Sequence, residues 1–176
     1  MSEISLNKTD FVSNALIYYK TNSMSYYVSY QSGLKLKLNK DMTISFINTT
    51  NEFSISEDNY YQFSISGDVN VSGDIKTLVN GKTQNSEFNF YRLFYECKGL
   101  KQSSDLSFNN FYELNKSCYE SMFEGCSSLL SIPNFSGDIY YENCYKNMFK
   151  NCSSLIELSE YLYLYTYESP LYEGCF

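Results

Sequence analysis

The chain has 176 residues, which is enough for one or two packed domains, and a net charge of −7 at pH 7. It contains no histidine and a single arginine, Arg92, so it lacks the commonest general base and metal ligand and has little with which to bind phosphate or nucleic acid. Because the sequence shows neither a signal-peptide pattern nor a stretch approaching about 18 apolar residues, we expect synthesis in a cytoplasm and no contact with membranes.

The first half of the chain is predicted to be β-rich. Residues 34–38, LKLKL, alternate strictly and predict a half-buried strand with three leucines on one face. Turn signals recur about every ten residues, which is typical of a small β-sandwich, and we predict such a domain over residues 1–82. Further strands are predicted at residues 42–47, 53–56, 61–66 and 69–72, with Ser-Gly-Asp turns at residues 66–68 and 72–74.

A short sequence motif recurs through the second half of the chain. CYESMFEGCSSL at residues 118–129 and CYKNMFKNCSSL at residues 144–155 are close copies, YRLFYECKGL at residues 91–100 is weaker, and YESPLYEGCF at residues 167–176 is a shortened fourth copy. Aligned on their shared cysteine, the copies are 29, 26 and 23 residues apart. Such a period indicates stacked units that bury a core only against their neighbours, and we predict about 3.5 copies over residues 83–176.

Within one copy the apolar residues have a helical spacing. Tyr119, Met122, Phe123 and Cys126 stand at i, i+3, i+4 and i+7, which predicts a helix of about two turns followed by a short extended piece. The predicted class is therefore mainly β with short helices. Stacking would align like residues into ladders, and the predicted repeat core consists of Leu93, Phe94, Cys97, Leu100, Cys118, Met122, Phe123, Cys126, Leu129, Cys144, Met148, Phe149, Cys152, Leu155, Leu171, Tyr172 and Cys175.

The unit C-Y-x-x-M-F-x-x-C-S-S-L, followed by a proline a few residues later, resembles the BspA-like leucine-rich-repeat family, especially copies with a period of about 26 residues from gut bacteria and their phages. The resemblance covers residues 90–176, and residues 69–78, VNVSGDIKTL, are similar to a phrase that precedes such repeats. It implies a short leucine-rich-repeat-like solenoid, a role in adhesion or recognition, and no catalytic residues. The short array, and the absence of a counterpart to Pro133 after Leu155, favour an end that docks onto a partner.

The six cysteines allow three interpretations. Within a copy their spacing is C-x7-C, whereas zinc sites made of cysteines usually contain C-x2–4-C pairs. We favour free thiols packed in a ladder, with disulfides and zinc as alternatives.

The acidic residues also have a plain interpretation. Glu120 and Glu124 are expected on a solvated face rather than in a catalytic carboxylate pair. Asp68 and Asp74 are expected in turns, because the spacing of a calcium loop is missing. We therefore predict no catalytic residue, no cofactor and no metal.

The segment EYLYLYTY at residues 160–167 alternates tyrosine with leucine or threonine. As a strand it would place the tyrosines on one face and Leu162, Leu164 and Thr166 on the other. It is either a core strand of the last repeat or a contact surface for a second copy of the chain or another partner. The candidate interface residues are Tyr161, Tyr163, Tyr165 and Tyr167.

Recognition repeats normally act outside cells, yet this sequence carries no export signal that we can recognise. We therefore expect a non-enzymatic bacteriophage virion component, such as a head fibre, decoration or tail-associated protein, that anchors to the particle and displays a recognition surface. It would form a dimer or trimer, contact other virion proteins and bind a host-surface glycan or protein. The alternatives are a bacterial cell-surface adhesion module that binds glycan or host protein, and an enzyme acting on glycans with two carboxylates, for which no residue pattern argues.

Overall fold

The computed structural model describes residues 1–9, 14–83, 86–108, 111, 114–133 and 141–156. The described chain is mainly β, with small antiparallel sheets and one short parallel pair. Its elements are β1 (Ser2–Lys8), β2 (Ile17–Thr21), β3 (Val28–Ser29), β4 (Leu36–Leu38), β5 (Ile44–Asn48), β6 (Tyr61–Ser66), β7 (Val69–Asp74), a 3-10 helical segment (Ile75–Val79) and β8 (Leu100–Ser107).

Two three-stranded antiparallel sheets, with strand orders β4-β1-β6 and β3-β2-β5, occupy the first part of the chain. On β1, the central strand of its sheet, Ile4, Ser5 and Leu6 are all buried, so both faces of this strand are covered at its middle. The two sheets meet where the ring of Phe46 on β5 contacts the ring of Phe63 on β6 edge to face, with centroids 5.2 Å apart. A parallel pair, β7 and β8, forms the third sheet.

Several sequence predictions for this part need correction. Of residues 34–38 only the last three form a strand, and Leu34 is 42% exposed. Residues 53–56 are not a strand: Phe53 is buried because its ring stacks on that of Tyr61 at 4.7 Å. The second Ser-Gly-Asp phrase lies inside β7 instead of forming a turn, and Asp74 ends that strand and caps the 3-10 segment. Strands β1, β2, β3 and β8 were not predicted.

The predicted helices are wrong. Residues 87–96, 116–125 and 142–151 form three layers of consecutive turns. In an α-helix each N–H donates to the carbonyl four residues earlier, but here the N–H of Glu120 donates to the carbonyl of Ser117, three residues earlier. The intervening N–H groups leave the layer: that of Tyr119 donates to the carbonyl of Cys144 at 3.0 Å. Alternate amides therefore close turns, and the others join one layer to the next.

A left-handed residue recurs at every fourth position of each layer. These residues have φ between 53° and 77°, a region that non-glycine residues adopt at a cost of about 1–2 kcal/mol each. Each left-handed residue is the third residue of a four-residue turn, the position at which a type II turn requires a positive φ, so the layer bends with a four-residue period. The positions are Phe88, Arg92 and Glu96 in the first layer, Ser117, Ser121 and Gly125 in the second, and Asn143, Asn147 and Asn151 in the third.

Candidate interaction site

A column of stacked phenylalanine rings runs through the three layers and into the first part of the chain. Successive centroids of Phe63, Phe94, Phe123 and Phe149 lie 5.2, 5.3 and 5.5 Å apart, with interplanar angles of 11°, 11° and 7°. Such aromatic pairs contribute about 0.5–1.5 kcal/mol each beyond the burial of their area. Because Phe63 belongs to β6, and its N–H donates to the carbonyl of Leu93 at 2.7 Å, β6 covers the first layer much as another layer would.

A column of thiols runs beside the rings. The Sγ atoms of Cys97, Cys126 and Cys152 donate to the carbonyl oxygens of Phe63, Phe94 and Phe123 at 3.1, 3.0 and 3.1 Å. Burial raises the pKa of Cys97 to about 12 and that of Cys152 to about 11, and raises the pKa of Cys126 further. These thiols are therefore protonated hydrogen-bond donors at neutral pH and not nucleophiles.

Two further cysteines meet between the second and third layers. Cys118 and Cys144 are fully buried, and their Sγ atoms are 2.7 Å apart. Burial and the neighbouring thiol together raise the pKa of Cys144. Both are free thiols in the structure, and the described residues contain no group of three potential metal ligands.

The structure places the predicted repeat-core residues as follows. Leu155 is partly buried and packs against the core cluster. The candidate interface residues Tyr161, Tyr163, Tyr165 and Tyr167, together with Leu171, Tyr172 and Cys175, lie outside the described residues. The remaining predicted members are all buried in one continuous cluster that also includes residues of β1, β5 and β6, and they are Leu93, Phe94, Cys97, Leu100, Cys118, Met122, Phe123, Cys126, Leu129, Cys144, Met148, Phe149 and Cys152.

The acidic residues of the layers pair with lysines of neighbouring layers. Glu120 lies 3.9 Å from the Nζ of Lys146, and Glu124 lies 3.6 Å from that of Lys150. Each carboxylate thus forms an ion pair with a lysine, and the two are not arranged as a pair around a substrate. Since the lysines are partly exposed, each contact contributes about 0–1 kcal/mol.

The aspartates of the two Ser-Gly-Asp phrases also form ion pairs with lysines. Asp68 lies 3.5 Å from the Nζ of Lys101. Asp74 accepts the backbone N–H of Lys76 at 2.9 Å and lies 3.5 Å from the Nζ of the same residue. Asp74 therefore caps the 3-10 segment, whereas Asp68 forms an exposed ion pair between β6 and β7.

The only arginine lies at the junction of β6 with the first layer. The guanidinium of Arg92 is 5.1 Å from the ring centroid of Tyr91 and 4.8 Å from that of Tyr95, distances at which cation–π attraction contributes about 0.5–1 kcal/mol or more. Tyr60, which precedes β6, meets the ring of Tyr91 edge to face at 5.3 Å. No sequence pattern indicates this cluster, because its members come from two separate parts of the chain.

A cavity of about 340 Å³ opens between β5 and β7. Its floor is apolar and includes the rings of Phe46, Phe63 and Phe94. The volume lies at the lower end of the range of about 300–1,000 Å³ typical of binding pockets. All three sheets and the first layer contribute to the lining, so no local sequence pattern could have indicated it.

Comparisons with protein-family models, curated proteins and solved structures gave no match to this chain. None of the helical segments in the described residues is long and apolar enough to cross a membrane.

Proposed function

We propose that this chain is a non-enzymatic structural and interaction protein, built as a short leucine-rich-repeat-like solenoid of BspA type that is covered at one end by a small β-sandwich. The observation that carries the proposal is the continuous column of phenylalanine rings, together with the layer-to-layer backbone hydrogen bonds. Repeating layers in register are the way in which solenoids build an extended scaffold from units that cannot fold alone.

Within the described layers, several groups that could support catalysis take part in holding this scaffold together. The thiols of Cys97, Cys126 and Cys152 donate to backbone carbonyls of the preceding layer or of β6. The carboxylates of Glu120 and Glu124 face lysines of the next layer. This use of nucleophiles and acids as structural contacts supports a binding or building role in preference to a chemical one.

We place the protein in a bacteriophage virion, as a head fibre, decoration or tail-associated component that forms a dimer or trimer and contacts other virion proteins. The support is the resemblance of the repeats to BspA-like copies from gut bacteria and their phages, which implies a role in adhesion or recognition. The competing function is a bacterial cell-surface adhesion module that binds a glycan or host protein.

Light scattering of the purified full chain across a concentration series tests this proposal. A virion component should form a closed symmetric oligomer whose mass is constant over the series. A strictly monomeric protein that binds an immobilised glycan or host-cell surface would overturn the virion assignment in favour of the adhesion module. Hydrolysis of a glycan by the same preparation would overturn the non-enzymatic assignment.

A further inference from the structure

Two of the cysteines differ from the others in what their sulfur atoms contact. The thiols of Cys97, Cys126 and Cys152 each donate to a backbone carbonyl oxygen. Cys118 and Cys144 instead contact each other, with their Sγ atoms 2.7 Å apart. The two sulfur atoms of this pair therefore face each other across the boundary between the second and third layers.

The backbone holds these two cysteines side by side. The N–H of Ser117 donates to the carbonyl of Glu142 at 3.1 Å. The N–H of Tyr119 donates to the carbonyl of Cys144 at 3.0 Å. Chain segments joined by such bonds lie about 4.7–4.9 Å apart, and the Cα atoms of a disulfide usually lie about 4.4–6.8 Å apart. The two layers are therefore spaced as a disulfide between them requires.

The pair is closed off from solvent. Cys118 and Cys144 have no exposed surface, and they belong to the buried cluster that also contains Met122 and Met148 of the same two layers. A disulfide would bring the sulfur atoms to about 2.05 Å, so they need to approach each other by less than about 1 Å. We expect a shift of this size to leave the surrounding side chains in place.

We propose that Cys118 and Cys144 form a reversible disulfide that fastens the third layer to the second in an oxidising environment. The oxidant is a small-molecule disulfide such as oxidised glutathione. One cysteine thiolate attacks it, which releases one molecule of thiol and leaves a mixed disulfide. The second cysteine then attacks the protein sulfur of that mixed disulfide and releases the other molecule. Two cysteine thiols are thus oxidised to one disulfide, and two electrons and two protons pass to the two released thiols.

The burial of the pair decides when this exchange occurs. The thiolate is the attacking form, and burial together with the neighbouring thiol raises the pKa of Cys144. A small-molecule disulfide also cannot reach a side chain that has no exposed surface. Exchange is therefore expected while the layers open or fold, and the completed disulfide is shielded from reductants in the folded protein.

The disulfide would add a covalent link to a stack that is otherwise held by non-covalent contacts. The two cysteines stand 26 positions apart along the chain, so the bond closes a loop of one repeat and restricts the unfolded chain. Since each layer depends on its neighbours, the link opposes separation of the third layer from the second. The inference goes beyond the proposed function and does not depend on it, because virions and cell surfaces are both oxidising compared with a cytoplasm.

Refolding in a redox buffer tests the proposal on the full chain. The reduced, unfolded protein is refolded with reduced and oxidised glutathione, free thiols are alkylated, and the disulfides are mapped by proteolysis and mass spectrometry. We expect one dominant disulfide, between Cys118 and Cys144, in a product whose far-ultraviolet circular dichroism matches that of the reduced protein. The midpoint of thermal unfolding should rise by about 5–15 °C and return to the reduced value when dithiothreitol is added.

Two matched variants each remove one buried cysteine. Cys118→Ala should abolish the rise in the unfolding midpoint, whereas Cys126→Ala should keep it. Mapping of the wild type decides the question even if a variant does not fold. A different dominant pairing, a folded product without a disulfide, or a disulfide that forms only with loss of the native spectrum would overturn the inference. Each of these results leaves the proposed function unaffected, since light scattering tests that separately.

Discussion

The two halves of this molecule satisfy their backbone hydrogen bonds in different ways. In the antiparallel sheets the partners are distant and unlike in sequence: β1 pairs Glu3 with Lys37 on one side and with Ser66 on the other. In the layers each partner is a nearby position of the next copy, as when the N–H of Phe94 donates to Met122 and that of Phe123 to Met148. The layers therefore need only one pattern to be repeated, whereas every strand pair in the sheets is specified separately.

This difference has an energetic consequence. In a stack, each layer is stabilised by the layers above and below it, so a central layer contributes twice to the contacts. The sheets share one core, in which Phe46 and Phe63 connect separate strands. The contact between Phe63 and Phe94 joins the two halves into one cluster of buried residues, so damage in the middle of the stack should be felt throughout the described fold.

Removal of a central ring should have the largest effect. Phe123 is fully buried and stacks on Phe94 and Phe149, so Phe123→Ala should lower the free energy of unfolding by about 3–5 kcal/mol, measured by urea denaturation. Phe123→Leu should cost less because it fills part of the space. As a control in the first half of the chain, Leu34→Ala at an exposed position before β4 should change stability by less than about 0.5 kcal/mol. A loss below about 1 kcal/mol for Phe123→Ala would show that the stack is not a cooperative core.

High pH should weaken the protein through its layers, since all six cysteines lie in the second half of the chain. The folded pKa values of Cys97 and Cys152, about 12 and about 11, are raised above the ordinary value of 9.0, so the folded chain holds these protons more tightly. The contribution of these two thiols to the free energy of unfolding is fully present below pH 9. It is lost as the pH rises from 9 toward 11–12. The slope should be about 1.4 kcal/mol per pH unit for each thiol that ionises only when unfolded.

Urea denaturation at a series of pH values, with Cys126→Ala as the matched variant, measures this slope. Burial also raises the pKa of the Cys126 thiol. Replacing this residue should therefore reduce the dependence of stability on pH by the contribution of one thiol. Labelling with a thiol reagent at pH 8 should be slow in the native protein and complete after unfolding, because the thiolate is the reactive form. Fast native labelling of Cys97, Cys126 and Cys152 would contradict the description of the thiol column.

Substitutions at the left-handed positions should change stability least. Introducing a glycine there should stabilise the protein, and removing one should destabilise it. Glu96 is exposed with φ of 54°, so Glu96→Gly should stabilise the protein by about 0.5–1 kcal/mol. Gly125 has φ of 77°, and a Cβ there would lie 3.1 Å from Cγ of Glu96, so Gly125→Ala should destabilise it by about 1–2 kcal/mol. Glu87→Gly, in the same layer but not at a left-handed position, should be destabilising. Thermal unfolding of the three variants checks these signs, and equal effects of Glu96→Gly and Glu87→Gly would refute the four-residue turn pattern.

Part of this fold could be predicted from residue patterns. The strand at residues 61–66 was predicted where β6 lies, because it alternates and is bounded by turn residues. The repeat period and the ladder residues also follow from the sequence, since similar layers must bury similar side chains. The second Ser-Gly-Asp phrase was misleading because Gly73, although its φ is positive, pairs with Leu106 of β8 and so stays within β7.

The helix prediction failed for a specific reason. A chain that turns every four residues and a helix of 3.6 residues per turn place nearly the same residues on one side, so Tyr119, Met122, Phe123 and Cys126 suit both. The recurrence of asparagine at positions 143, 147 and 151 was the signal for left-handed residues, because asparagine tolerates that conformation. This signal is weak in the first layer, where Phe88, Arg92 and Glu96 occupy the same positions.

The sequence alone determined that the protein is mainly β, that its second half is built from copies and which of its side chains are apolar enough to form their core. These properties depend on composition and local spacing. Only the tertiary structure decided that the copies are turns instead of helices, that β6 continues the ring column, and that the edges of β5 and β7 border a cavity. Each of these depends on which backbone groups meet across long separations, and the preferences of single residues do not fix that choice.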